Sequence, residues 1–320
     1  MTWAERTLDA LLDRAGTTEA AVAPRWPLFA DPRTGDWTTT ARGSWTGGFW
    51  AGLLGLRAAL SGDPADRAAA SGRTAALAPW IGADTAARGM IFWYGTAFAE
   101  TELRQSATEA LLAAYDPVLG VVPWGAAFGG PRDLARVDSL PGLVPLLGGS
   151  GAPGLRAMRG HLDRHLDLLT RGGRPVPAWR VAPDGGWVPH PEPPAGWSRT
   201  VPWLTLALAD ADRLAPGRAH ETLSRLTASR PDGPPDTSAT AIHAAGLLKL
   251  AGTHENARLR DQAARMLRGL VTDHVRDGRL LDGCYDLHRG LATRHELVWG
   301  DFFLALGLAM LTGAIDPFTC

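Results

Sequence analysis

Apolar residues recur every three to four positions through most of this chain, and little between those stretches would suit a sheet. Residues 3–15, 48–59, 65–78, 97–113, 155–169, 201–214, 239–251, 256–275 and 302–311 carry this period, the mark of helices with a buried face. Gly, Pro and Asp gather between them at 148–154, 172–177, 191–196 and 230–235, where turns are expected. Strand-like patterning is confined to 177–188, which predicts one short hairpin around Asp184-Gly185-Gly186. No low-complexity linker divides the chain. The expectation is a single all-α domain over 1–320, with about ten to twelve helices in a bundle or a toroid.

Charge and composition narrow the function. Thirty-two basic residues against 33 acidic ones leave a net charge of -1, so neither nucleic acid nor an anionic membrane is expected as a partner. No apolar run approaches the roughly eighteen residues of a spanning helix. Residues 1–16 carry Glu5, Arg6, Asp9, Asp13 and Arg14 at amphipathic spacing, unlike a signal peptide. Cys284 and Cys320 make no disulfide framework. These features predict a cytoplasmic globular protein and leave its oligomeric state open. Among the basic residues only Lys249 is a lysine. Thirteen tryptophans against 3 tyrosines and 8 phenylalanines mean a heavily aromatic core or a ligand cleft lined with rings.

A theme recurs ahead of the apolar helices: a short segment with Trp, Gly and a polar group. It occurs at Ser44-Trp45-Thr46-Gly47, Gly196-Trp197-Ser198-Arg199 and Val298-Trp299-Gly300-Asp301. Helix N-termini offer unpaired N–H groups, so such segments suit a polar ligand. The common signatures are missing: no phosphate-binding loop, no dinucleotide fingerprint, no metal-binding cysteine pair. His220-Glu221 and His295-Glu296 lack the second histidine of a zinc-peptidase helix, and no strand leads into Ser150 as a nucleophile turn requires. His161, Asp163 and His165 share one helical turn; a metal would use them, and a solvated helix face explains them as well. No metal and no cofactor is expected.

Four segments carry a resemblance. Residues 44–54 (SWTGGFWAGLL), 137–147 (VDSLPGLVPLL), 197–203 (WSRTVPW) and 236–251 (DTSATAIHAAGLLKLA) resemble, in order, signature blocks of the unsaturated glucuronyl hydrolases of glycoside hydrolase family 88, with the related family 105. Residues 281–303, with Gly283-Cys284-Tyr285 and Trp299-Gly300-Asp301, are similar to the last block. The resemblance implies an (α/α)6 toroid acting on a 4,5-unsaturated uronic acid at the end of an oligosaccharide. A carboxylic acid protonates the C4=C5 enol ether, water adds at C5, and the product opens to release the neighbouring sugar. This differs from glycosidases whose paired carboxylates flank the glycosidic bond. The resemblance puts Asp138 in the proton donor's place, although without it an N-cap is the plainer reading. Asp133 and Asp301 stay open as other donors. Arg199 matches a pocket arginine suited to a carboxylate. Trp45, Trp50, Trp197, Trp203 and Trp299 are candidates to stack on sugar, some of them being core. Asp236 with Ser238 reads equally as a helix cap, and Tyr285 matches a block position without an assigned step.

The departures are as informative. Where the family carries His-Asp-x-Gly-Phe, with a second aspartate, this chain has Phe92-Trp93-Tyr94-Gly95-Thr96. A family histidine falls near Trp179, and a glutamine-bearing loop is shortened to His190-Pro191-Glu192-Pro193-Pro194, with His190 a partial substitute. Losing a like charge removes one way of keeping an acid protonated, while rings such as Trp93 and Tyr94 strengthen the other, desolvation. Three readings follow. The first is a divergent unsaturated-uronyl hydrolase with Asp138 as acid. The second is an acid-type cyclase or isomerase of an alkene-bearing metabolite, with Trp50, Trp93 and Trp124 facing a developing cation. The third is a carbohydrate-binding homologue without catalysis.

Overall fold

The structure is a computed structural model that describes residues 1–99, 102–171, 174–216 and 233–320. The helices are α1 (Trp3–Val22), α2 (Gly47–Ser61), α3 (Pro64–Ala75), α4 (Arg88–Gly95), α5 (Glu102–Ala113), α6 (Leu143–Gly148), α7 (Gly151–Thr170), α8 (Thr200–Leu214), α9 (Thr237–His254), α10 (Ala257–His274) and α11 (Val298–Thr312). The strands are short: β1 (Trp26–Ala30), β2 (Trp37–Thr40), β3 (Leu134–Arg136), β4 (Ala178–Val181), β5 (Trp187–Pro189), β6 (Val275–Arg276), β7 (Arg279–Leu280) and β8 (Glu296–Leu297). His220 and Glu221 lie outside the described residues, as does part of the turn clusters at 172–177 and 230–235 and of the expected helix at 97–113.

Two compact units divide the chain. The first comprises Met1–Ala78, Tyr94–Glu100 and Gly233–Cys320; the second, Pro79–Trp93 and Thr101–Asp232. In the first unit a capping box starts α1, with Thr2 and Glu5 each bonding the other's backbone N–H. The helix passes the expected stop at Ala15 and continues to Val22. Arg57 lies against Gly16 and donates to the Leu12 carbonyl at 2.6 Å, so a guanidinium fills the place of the missing side chain. Helices apolar on all sides form the centre of this unit: α11 is buried from Val298 to Met310. It packs against α1, α2 and α9, as an all-apolar helix must. By contrast α10 buries only Ala263, Leu267 and Leu270 and covers α9 from outside. Lys249 on α9 is fully buried, its ammonium 5.6 Å from the Phe318 ring centroid.

In the second unit α6 packs against α5, α7 and α8, and β3, β4 and β5 form an antiparallel sheet. The hairpin expected at 177–188 is present as β4 and β5, turning where the Gly186 N–H bonds Asp184 Oδ1 at 2.9 Å. The third strand, β3, joins β4 with Leu134 opposite Arg180 and Arg136 opposite Ala178. Alternation then sends Ala135 and Trp179 to one face, where they meet Val121 and Leu168, and Arg136 to the other.

Candidate active site

Asp138 lies in a single 3-10 turn, Val137–Ser139, that follows directly on β3. Arg136 is extended there and Asp138 is two residues on, so the two side chains turn to the same side. They form a fork: Arg136 Nε donates to Oδ1 at 2.9 Å and Nη2 to Oδ2 at 2.7 Å. This is the bidentate geometry of the stronger ion pairs. The guanidinium also lies over the indole of Trp124, 4.2 Å from its centroid. Both expectations for the surroundings of Asp138 need correction. It is not an N-cap, because the α6 cap is Gly142 and carries no side-chain bond. Its environment is not purely apolar and ring-lined either, because a guanidinium faces the carboxylate. Sequence reading missed Arg136; the signal was a basic residue two positions from the acid at a strand end.

Gly142 and Gly89 bring α4 against this turn. A Cβ at Gly142, whose φ is +73, would meet the Gly89 carbonyl and approach Trp93 Cβ to 2.9 Å. Trp93 therefore stands beside the Asp138 turn. Arg104 covers its ring at 4.7 Å and bonds its carbonyl at 3.2 Å. The indole N–H groups of Trp93 and Trp124 are buried without a partner among the described residues.

Behind Asp138, Ser139 meets two histidines that the helix spacing of α7 stacks one turn apart. Ser139 Oγ is 3.2 Å from Nε2 of both His161 and His165. The Val122 N–H donates to His161 Nδ1 at 3.0 Å, so the His161 proton sits on Nε2 and points at Ser139. His165 Nδ1 bonds the His161 carbonyl at 2.7 Å, which makes Nδ1 its donor and leaves Nε2 an acceptor. The single Ser139 hydroxyl proton is shared between the Arg136 carbonyl at 2.6 Å and His165 Nε2. Burial pushes His165 down to about 4. It pushes His161 well below the usual histidine value, with the neighbouring His165 adding to the effect. These rings are thus a buried neutral pair bracing the turn, not a solvated helix face. Among the described residues, no group of three or more His, Cys, Asp or Glu is placed to hold a metal.

The remaining candidates separate by burial. Trp179, where a family histidine falls, packs in the core and donates its indole N–H to the Val176 carbonyl at 3.1 Å. The His190 N–H bonds Ala178 at 2.8 Å, which sets His190 across β4 from Arg136; its ring Nδ1 lies 2.7 Å from the Glu192 carbonyl. Arg199 ends the loop before α8 and lies over Trp197 at 4.7 Å. Three expected ring platforms, Trp50, Trp203 and Trp299, are core instead. Trp203 is 1% exposed, and Trp50 is tied by its N–H to Glu19 at 2.9 Å. Tyr94 is fully buried among Phe49, Phe302 and Phe303.

In the first unit Trp45, Tyr285 and Trp299 form one aromatic group. Trp45 and Tyr285 are stacked at 6.4 Å, and Trp299, fully buried, backs Trp45 at 4.9 Å. Asp236 caps α9 by accepting from the Ser238 N–H and hydroxyl, and also from the Cys284 N–H at 3.2 Å. Asp301 accepts from the Leu280 N–H at 3.0 Å. Burial raises its pKa well above the carboxylate range, and Glu296 nearby adds to this. Glu296 is itself held by Arg14 and Arg279. That cluster joins β7 and β8 to α11, a structural task. Asp133 stands beside β4, its carbonyl accepting from the Val181 N–H.

The fold as a whole matches solved structures of unsaturated glucuronyl hydrolases. The enzyme from Bacillus sp. GL1 aligns with a TM-score of 0.85 at 20% identity, covering 98% of each chain. A UGL variant with dGlcA-Glc-Rha-Glc aligns at 0.86 and 20% identity, also over 98% of each chain. The Streptococcus agalactiae enzyme aligns at 0.84 and 17% identity, over 99% of this chain and 93% of that one. No family model matches the chain, and no curated protein does. Likeness at such low identity speaks for the fold: it is the all-α (α/α)6 toroid fold of those hydrolases.

Proposed function

We propose that this protein is a divergent hydrolase of unsaturated uronyl oligosaccharides, active in the cytoplasm, with Asp138 as its acid. The observation that carries the reading is Asp138 itself, a nearly buried carboxylate on the turn between β3 and α6, in a fold shared with such hydrolases over 98% of the chain. The acid adds its proton to C4 of the enol ether, and water adds at C5 and gives up a proton that restores the acid. The resulting hemiketal opens and frees the neighbouring sugar. Arg199 supplies a contact for the uronate carboxylate. The test is an ultraviolet assay on a panel of unsaturated uronyl disaccharides, following loss of the enol-ether absorbance. Asp138→Asn should lower turnover by about 10²–10⁴-fold, the usual worth of a general acid. Normal turnover by that variant would remove Asp138 from the mechanism.

A second reading, an acid-type cyclase or isomerase, has one observation in its favour. Trp93 stands beside the Asp138 turn, and an indole face favours a developing cation. No absorbance loss with any uronyl substrate, from a folded sample, would favour alkene-bearing metabolites instead. Retained sugar binding without turnover of either class would favour a non-catalytic carbohydrate binder.

A further inference from the structure

Asp138 is an acid whose two oxygens are already in use. Both accept from Arg136, at 2.9 and 2.7 Å, and a guanidinium offers donors only. To hand a proton to a ligand, Asp138 must have at least one oxygen released from this fork, and that oxygen must take up a proton from solvent. We propose that Arg136 is a carboxylate latch: closed on Asp138 in the ligand-free protein, it transfers to the carboxylate of the incoming uronyl group and so releases the acid. The inference rests on the reading of Asp138 as the acid and adds a specificity-determining residue to it.

Two features suit Arg136 to move. Its side chain is 20% exposed and that of Asp138 11%, so the arginine is the more accessible partner. The guanidinium carbon lies over the Trp124 ring, 4.2 Å from its centroid, and attraction to a ring face fixes no direction for the guanidinium's hydrogen bonds. The exchange is balanced in kind, one carboxylate for another in the same bidentate geometry. A ligand without a negative charge offers no replacement, and opening would leave the guanidinium unpaired. The latch thus makes release of the acid conditional on an anionic ligand, as a ligand's differential affinity for two states requires.

The test compares an unsaturated uronyl disaccharide with its methyl ester, in turnover by the wild type, Arg136→Met and Arg136→Lys. Binding of the saturated uronyl disaccharide and its methyl ester is measured in parallel by calorimetry. The wild type should prefer acid over ester by about ten- to a hundredfold in kcat/KM, the worth of a hydrogen bond to a charged group. Arg136→Met should lose most of that preference, keeping what the Arg199 contact supplies: KM for the acid rises, while turnover of the ester is kept or increased because Asp138 is no longer held. A purely structural arginine would lower both together. Arg136→Lys keeps the charge without the fork, should fall between, and covers the case in which Arg136→Met does not fold. An unchanged acid-to-ester preference in both variants, in turnover and in binding, overturns the latch. Absence of any wild-type turnover, with carboxylate-selective binding that still needs Arg136, overturns the hydrolase reading and leaves the latch standing.

Discussion

At the scale of single residues, the best-determined groups are the two histidines behind Asp138. An unfolded chain takes up protons on both near the ordinary value of 6.5, whereas the folded protein holds His165 at about 4 and His161 well below its usual value. Depressed folded values mean stability that is fully present above 6.5 and lost as the pH falls toward about 4. The slope is about 1.4 kcal/mol per pH unit for each proton. Urea midpoints measured from pH 7.5 to 4.5 should fall accordingly, and H161Q/H165Q should flatten the profile by about two protons. An equally steep profile in that variant would mean the rings are not held neutral. The sequence made this pair visible as spacing, since four residues on a helix stack two side chains on one face. It did not show which face. Burial of α7 against the Asp138 turn decided that, and it turned the candidate metal ligands into a brace. The same limit applies to the tryptophans. Trp50 and Trp203 stand in segments read as candidate sugar-stacking blocks, yet their rings are core, and no local pattern separates a core indole from an exposed one.

At the scale of elements, the long helices were legible, including nearly all-apolar ones such as α9 and α11, and the short ones were not. The amphipathic period located α1, α7 and α10 to within a few residues, apart from the end of α1. It missed α4, whose Met90 to Phe92 and Tyr94 are fully buried or nearly so and show no alternation to read. The three-residue β3 was missed as well, being too short for any pattern and formed only by pairing with β4. These two elements adjoin the Asp138 turn, so this part of the site was the least readable. The close approach of Gly142 to Gly89 gives a direct test. Gly142→Ala adds a methyl at positive φ against backbone and should cost about 2–5 kcal/mol from strain and overpacking together. Gly72→Ala in the middle of α3 meets nothing within 4 Å and should gain about 0.5–1 kcal/mol. Equal denaturation midpoints for the two variants would contradict the packing described.

At the scale of the whole molecule, the chain passes from one unit to the other four times, after Ala78, Trp93, Glu100 and Asp232. Neither unit is a continuous stretch of sequence, and the first needs residues from both ends of the chain. Expression of 79–232 alone should therefore yield no stable protein, and the full chain should melt in one cooperative step by calorimetry, as one domain over 1–320 would. Two resolved transitions would divide it. The buried Lys249 has a further consequence at this scale, in the chemistry of the surface. With no other lysine in the sequence, the folded protein presents no side-chain amine to an acylating reagent. Lys249 becomes reactive only when α9 separates from its neighbours. Its acylation rate, read by mass spectrometry as denaturant is raised, would time the opening of the apolar centre without any introduced probe.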